Sequence, residues 1–190
     1  MRSKGFSGRR MALWLPALSV ALVGLCTTER AEALGGLGLS GSVRALYGPS
    51  VGSPELNPYS FGLGLTAGFT LPSSLYLGAA FDYFFGESED VGSADVSNSI
   101  LQLQGRIGYD IGLGPFTLRP NLGLGVATAA SELDSARVTD SYFVVAPGAE
   151  LVLGLGLLTA SAEARYNKVF SDSGAEADAV IFGLGLGLSF

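Results

Sequence analysis

The sequence contains no histidine and only one cysteine, Cys26, in 190 residues. Without histidine, general-base catalysis and metal ligation by an imidazole are excluded, and a single cysteine forms no disulfide within the chain. Charged residues make up only 15% of the chain, well below the share usual in soluble domains. The longest apolar run, "MALWLPALSVALVGLC", ends at Cys26 and is shorter than the roughly 20 residues of a membrane-spanning helix.

That apolar run lies in the position of an export signal. Four basic residues precede it, and Ala31-Glu32-Ala33 supplies an A-x-A cleavage site. We therefore predict a signal peptide over residues 1–33, cleaved after Ala33, and a mature domain over 34–190. Two alternatives stay open: the run is retained as an anchor helix, or Cys26 is lipidated as in a bacterial lipoprotein. Both alternatives still place the protein outside the cytoplasm.

After Ala33 the chain carries six basic and fifteen acidic residues, which give a net charge of −9. A nucleic-acid partner is excluded on this ground, because such binding needs a basic surface. Anionic substrates are disfavoured as well, unless a local basic patch overrides the field.

From Leu37 onward, apolar residues alternate with small or polar ones, which is the pattern of a strand with two different faces. The last stretch, "AVIFGLGLGLSF", shows this most plainly. Eight segments of about ten residues follow the pattern, long enough for tilted strands to cross a bilayer. They contain the sequences GLGLSGSVRALY, YSFGLGLTAGFTL, LYLGAAFDYFF, LQLQGRIGYDI, FTLRPNLGLGVAT, FVVAPGAELVL, LTASAEARYN and the closing stretch.

The connections between these segments alternate in length. Short turns follow the second, fourth and sixth segments, near Pro72, Gly112 and Gly154. Longer, polar connections that together are rich in acidic residues follow the first, third, fifth and seventh segments: GPSVGSPELNP, GESEDVGSADVSNS, ASELDSARVTDS and SDSGAEAD. Short turns on one rim and long loops on the other are typical of outer-membrane barrels. The fold class predicted is all-β, an eight-stranded antiparallel up-and-down transmembrane β-barrel.

An eight-stranded lumen is only wide enough to be filled by side chains, so we assign the bulky apolar face to lipid and the small, polar face to the interior. Four basic and four acidic residues then point inward and sum to zero charge. We interpret them as a salt-bridge network that fills the lumen, with a gated ion pathway as the alternative. They are Arg44, Asp82, Arg106, Asp110, Arg119, Glu150, Glu163 and Arg165.

With its signal peptide, alternating loops and strand sequences such as "RPNLGLGVA" and "AEARYNKVF", the chain resembles the small outer-membrane barrels of Gram-negative bacteria. These are the OmpA and OmpX type, within the broader outer membrane protein beta-barrel domain group. The resemblance covers Leu34 to Phe190. It implies that the barrel assembly machinery recognises the closing strand through its apolar row and terminal aromatic residue. In this sequence that row is Phe182, Leu184, Leu186, Leu188 and Phe190.

We therefore expect an integral, porin-like barrel of the cell outer membrane with a structural or surface-interaction role. The alternatives are a channel for small solutes or ions and, third, a barrel enzyme, which the lack of histidine disfavours. No catalytic residue, metal ligand or cofactor site is predicted. The expected partners are the lipid bilayer, lipopolysaccharide and, during biogenesis, the assembly machinery, and the expected state is a monomer.

Overall fold

The structure is a computed structural model that describes residues 37–49, 51, 59–86, 88–91, 94–133, 136–170 and 178–190. Gly36–Phe190 form one compact unit. The predicted signal peptide, its cleavage site and Cys26 lie outside the described residues. So do Glu55, Glu87, Asp134, Asp172 and Glu176 of the predicted acidic connections.

Ten antiparallel strands make up a single sheet, and the sheet closes on itself because β5 also pairs with β7. Eight of them form the barrel, which confirms the predicted fold. The other two are short: β4 pairs only with β5, and β6 only with β7. The strands are β1 Gly38–Tyr47, β2 Phe61–Thr70, β3 Leu75–Phe84, β4 Ser88–Val91, β5 Ala94–Tyr109, β6 Ile111–Leu113, β7 Phe116–Leu133, β8 Ala136–Leu155, β9 Leu158–Phe170 and β10 Ala179–Ser189.

The first and last strands pair with each other and remove both sheet edges. The register of β1 and β10 runs from Ser40 opposite Ser189 to Tyr47 opposite Phe182. Beyond it, the Leu39 N–H donates to the Phe190 carbonyl at 2.9 Å, and the Phe190 N–H donates to the Leu39 carbonyl at 2.8 Å. This pairing closes the barrel, as the predicted eight-stranded fold requires. A closed ladder is what a sheet in lipid requires, because every backbone polar group then has a partner.

The two faces of the sheet differ as the alternation predicts. On β10, Leu184 and Leu186 are 71% and 73% exposed on the outer surface, whereas Gly183 and Gly185, which alternate with them, are buried in the lumen. The assignment of the bulky apolar face to the outside is therefore confirmed. No helix among the described residues is long and apolar enough to cross a membrane.

Three turns lie at one end of the barrel, at residues 72–74, 114–115 and 156–157, and we call this the turn end. The opposite end, where the longer connections lie, is the loop end. The prediction that four long loops connect the strands at this end is wrong in part. β7 reaches Leu133 and β8 begins at Ala136, so most of ASELDSARVTDS is strand, and β4 and β5 take up most of GESEDVGSADVSNS.

These polar stretches form strands because a ladder needs backbone groups, not apolar side chains. A polar composition therefore resembles a loop even where the backbone pairs as a strand. The pairing of β5 with β7 reaches Val96 opposite Leu133, beyond the last pairs of β9 and β10. Strands β4, β5, β7 and β8 consequently extend the sheet on one side of the loop end.

Candidate functional site

The centre of the lumen holds a cluster of buried charges from β1, β3, β5 and β9, called here the central ion-pair cluster. Its members are Arg44, Asp82, Arg106, Glu163 and Arg165. Asp82 is 0% exposed and accepts from two arginines, with Arg44 Nη2 at 2.6 Å from Oδ1 and Arg165 Nη2 at 2.6 Å from Oδ2. Each carboxylate oxygen of Asp82 thus binds a guanidinium from a different strand.

Glu163 is the second carboxylate of this cluster and contacts all three of its arginines. Its Oε1 lies 2.8 Å from Arg106 Nη1 and 3.2 Å from Arg165 Nη1, and its Oε2 accepts from Arg44 Nη1. Three arginines therefore face two carboxylates, and the cluster carries a net charge of +1. Buried charges are tolerated only when they are paired and hydrogen-bonded in this way.

Several polar atoms beside this cluster have no hydrogen-bond partner among the described residues. They include Nε of Arg44, Nη2 of Arg106, Nε2 of Gln102 and both amide atoms of Gln104. Most of these atoms are donors, which matches the excess of positive charge. The centre of the lumen is thus polar and well paired, but not fully satisfied.

A second group of charges lies nearer the turn end and is called the turn-end cluster: Asp110, Arg119 and Glu150. Arg119 binds Asp110 in a bidentate manner, with Nε at 2.6 Å from Oδ1 and Nη2 at 3.0 Å from Oδ2. Its Nη1 donates to Glu150 Oε2 at 3.2 Å. One guanidinium shared by two carboxylates leaves a net charge of −1. The structure thus brings all eight predicted lumen residues into ion pairs, divided between two clusters.

Tyr76 narrows the lumen beside the turn-end cluster. Its ring lies where a Cβ atom would stand at Gly68 or Gly78, so a larger residue at either position would displace it. The guanidinium carbon of Arg119 lies 3.8 Å from the centre of this ring, a cation–π contact. The two inward glycines thus make room for an aromatic side chain across the lumen.

The loop end of the lumen is apolar, which the sequence analysis did not predict. Its buried side chains form the apolar plug: Leu46, Tyr59, Phe84, Ile100, Ala127, Val144, Ala146, Val169, Ala179 and Ile181. The Tyr59 and Phe84 rings meet edge to face at 5.1 Å between centroids. The available signal was the run of consecutive apolar residues near strand ends, such as Phe84-Phe85 and Val180-Ile181-Phe182, because such runs place apolar side chains on both faces.

Polar side chains lie between the apolar plug and the central ion-pair cluster. Asn167 Nδ2 donates to Gln102 Oε1 at 3.0 Å, and both side chains are fully buried. Tyr59 precedes β2, and burial raises the pKa of its hydroxyl to about 12, against the opposing effect of a hydrogen bond with Asn167. Tyr59 is thus a neutral, buried side chain at neutral pH.

Asp178 organises the rim at the loop end, just before β10. Its Oδ2 accepts from Tyr166 Oη at 2.6 Å and from Lys168 Nζ at 2.8 Å, and its Oδ1 accepts from the Val169 N–H at 3.1 Å. Burial disfavours the charged carboxylate, but these hydrogen bonds outweigh it and lower the pKa of Asp178. The Val51 N–H also donates to the Asp178 carbonyl at 2.7 Å, which ties two connections together.

The residues of the predicted assembly signal lie in one row on the outer face of β10 and just beyond it. Phe182, Leu184 and Leu186 are exposed, and Leu188 and Phe190 are half-buried. The row is therefore accessible from the membrane side, and its role in assembly stays a prediction.

No group of three or more His, Cys, Asp or Glu side chains suited to a metal ion occurs in the part of the chain that the structure describes. The lumen contains a small cavity of about 50 Å³ near the turn end, which borders Tyr76, Arg119 and Glu150. The lumen is thus filled by ion pairs at its centre, narrow and polar at the turn end, and apolar at the loop end.

Known proteins share this architecture. Neisserial surface protein A superposes with a TM-score of 0.58 at 12% identity, over 81% of this chain and 96% of that one. Ail, the attachment invasion locus protein of Yersinia pestis, gives 0.56 at 16% identity, over 81% and 97%. A major outer membrane protein from Thermus thermophilus gives 0.61 at 12% identity, over 82% and 100%. No curated protein matches the sequence. At these identities the likeness concerns the fold.

The sequence profile described as "Outer membrane protein beta-barrel domain" matches residues 17–190, nearly the whole chain. The match begins inside the predicted signal peptide, and it does not locate the cleavage site. Together with the structural neighbours, it indicates that the protein resides in the outer membrane. The chain belongs to the outer membrane protein beta-barrel domain family.

Proposed function

We propose that this protein is a non-conducting, non-enzymatic barrel with a structural or surface-interaction role. The observation that carries the proposal is the filled lumen. Its loop end is packed with apolar side chains and its centre is occupied by five paired charges. An ion that crossed would have to displace the plug and then break buried ion pairs, and each step is costly.

The alternative is a small-solute or ion channel, and the observation in its favour is the set of unpartnered polar atoms beside the central cluster. Conductance in planar bilayers discriminates between the two functions. We expect no stepwise current from the purified protein in KCl solutions of low or high concentration, with a refolded porin as the positive control. Discrete openings of the unmodified protein would support the channel instead.

A matched variant makes this test sharper. The double substitution Phe84→Ala and Ile181→Ala removes two large, fully buried side chains of the plug while leaving every charge in place. Current in this variant, together with silence of the parent, would show that the plug closes the lumen. If neither protein conducts, the central ion-pair cluster closes the lumen.

The surface-interaction role rests on the extension of β4, β5, β7 and β8 beyond the other strands at the loop end. Ail, a similar barrel, has been crystallised with the heparin analogue sucrose octasulfate. The acidic connections of this chain suit a cationic or neutral partner better than such a polyanion. Cells that display the protein should therefore adhere to polylysine-coated surfaces more than to heparin-coated ones. Replacing residues 131–138 by Asn-Gly should reduce that difference, and equal adhesion of both strains would contradict this role.

We also propose that the protein is a monomer in contact with phospholipid and lipopolysaccharide, exported by a signal peptide that is cleaved after Ala33. The mature protein should begin at Leu34. Intact-mass spectrometry of protein from outer membranes tests this directly, and a start at an acylated Cys26 would indicate a lipoprotein.

For biogenesis, we propose that the assembly machinery recognises the outer row of β10, including Phe190. Phe190→Ala should lower the amount of barrel in the outer membrane, whereas Phe190→Tyr, which keeps the aromatic ring, should not. Outer-membrane fractionation measures this amount. Equal amounts of the two variants in the outer membrane would show that Phe190 is not part of the recognition signal.

A further inference from the structure

Two of the three turns at the turn end carry large, exposed apolar side chains, although short turns of outer-membrane barrels face the periplasm. The side chains at these two turns are called here the turn-end apolar rim: Leu113, Phe116, Leu155, Leu157 and Leu158. The sequence has no charged residue in 111–118 or in 151–162. A cluster of exposed apolar side chains of this kind marks an interaction surface.

The third turn, residues 72–74, is the contrast within the same end of the barrel. It reads Pro-Ser-Ser, and its Pro72 and Ser73 are exposed. Turn geometry does not account for the difference. It requires only the glycines of the two apolar turns, Gly114 and Gly156, whose φ angles are +70° and +79°. The leucines beside these glycines are thus a separate property of the sequence.

The rim continues the outer, lipid-facing surface of the barrel. Phe116 pairs with Leu153, and Leu155 with Leu158, so both hairpins belong to one stretch of sheet. On β8 every outward residue from Phe143 to Leu155 is apolar. These twelve residue steps, at about 3.4 Å each and a tilt of about 40°, span about 31 Å along the membrane normal. The apolar band of outer-membrane barrels is usually about 25 Å tall.

The backbone at both turns also suits an apolar environment. Pro115 has no N–H, and its carbonyl accepts from the Gly154 N–H at 3.3 Å. The Leu157 carbonyl accepts from the Ser189 N–H at 2.9 Å. Because lipid offers no hydrogen bonds, backbone groups there must be paired within the protein, and these two carbonyls are.

We propose that the turn-end apolar rim lies in the inner leaflet of the outer membrane, in contact with phospholipid acyl chains. The turn at residues 72–74 stays in the periplasmic solution. The continuity of the rim with the lipid-facing surface favours lipid over a protein partner. An apolar band taller than the surrounding hydrocarbon is accommodated by tilt of the protein or by local thickening of the bilayer. This proposal rests on the proposed contact of the outer face with phospholipid.

Spin labelling of the protein in phospholipid vesicles tests this proposal. A nitroxide on Leu157→Cys is compared for its access to oxygen, which concentrates in hydrocarbon, and to a water-soluble nickel chelate. Leu124→Cys, on the outer face of β7, is the reference for lipid, and Ser73→Cys is the reference for water. Residues 34–190 contain no cysteine, and the parent protein shows any label bound to Cys26.

We expect the ratio of oxygen access to nickel access at Leu157 to match that at Leu124 and to exceed that at Ser73 severalfold. Leu113→Cys, on the other hairpin, should give the same result and replaces Leu157→Cys if that variant does not fold. A ratio at Leu157 equal to that at Ser73 would overturn the proposal. So would low access to both reagents, because a second copy of the chain would then cover the rim. If Leu124 itself behaves like Ser73, the proposed lipid contact of the outer face fails instead.

Discussion

The two halves of the lumen are filled in opposite ways, although the same strands build both. At the loop end, inward positions carry Leu46, Phe84 and Ile181, which pack against one another. Nearer the turn end, the inward positions carry arginines and carboxylates in ion pairs. Packing stabilises in proportion to the apolar area removed from water, whereas buried ion pairs first have to offset a desolvation cost.

This difference teaches what each half contributes. An apolar plug tolerates rearrangement as long as its volume is kept. The central cluster does not, because each carboxylate must meet particular arginines on other strands. We therefore expect the charged half to fix the strand register and the apolar half to close the pore, and the following predictions test this division from the largest effect to the smallest.

Asp82→Ala should produce the largest loss of stability. It leaves Arg44, Arg106 and Arg165 facing Glu163 alone, and removing one partner of a buried pair costs about 3–5 kcal/mol. Urea unfolding in phospholipid vesicles, followed by circular dichroism, measures the loss. Asp110→Ala, at a partly exposed pair of the turn-end cluster, should cost less. Similar losses for both would show that the central cluster has no special role.

Ile181→Ala should destabilise the apolar plug by about 2–5 kcal/mol, because it removes a fully buried side chain and leaves a cavity. The loss should not change between low and high salt, since no charge is involved. Val180→Ala, on the outer face next to Ile181, is the matched control and should cost less.

Leu124→Arg tests the outer surface against the lumen at one position along β7. Leu124 is 46% exposed on the outer face, and an arginine near the bilayer midplane costs about 2–4 kcal/mol. Thr128→Arg, on the same face but nearer the loop end, should cost only about 0–1 kcal/mol. Gly123→Arg should instead crowd Gln104 and Ala146 inside the lumen. Unchanged urea stability of Leu124→Arg in vesicles would contradict the outward assignment.

Most of the fold and part of the site follow from the sequence. Alternation with a period of two assigns each residue of a strand to a face, so it identified Arg44, Asp82 and Glu163 as inward. It does not give the register between strands, and the registers of β1, β2 and β3 place Arg44 level with Asp82, which binds both Arg44 and Arg165. The apolar plug was not predicted because residues such as Phe84 and Ile181 lie in short apolar runs. In such runs apolar and polar residues do not alternate, so the pattern does not distinguish the two faces.

The smallest predicted effect concerns Asp178 at the rim of the plug. The pKa of Asp178 is lower in the folded protein than in the unfolded chain, where it is 3.8. Near pH 3.8 the carboxylate therefore stays charged in the folded protein while the unfolded chain binds a proton. The resulting stability is fully present above pH 3.8 and is lost as the pH falls through the folded pKa. Asp178→Asn should therefore cost about 1.5 kcal/mol near neutral pH and progressively less below about pH 4.

The comparison with Lys168→Met separates the charge from the other hydrogen bonds. Asp178 also accepts from Tyr166 and the Val169 N–H, so Lys168→Met should lose only part of what Asp178→Asn loses. Unfolding midpoints at about pH 3, 4 and 6 measure both variants against the parent. A loss for Asp178→Asn that stays constant over this range would mean that its charge does not stabilise the rim. Packing alone would then stabilise the rim of the apolar plug at the loop end.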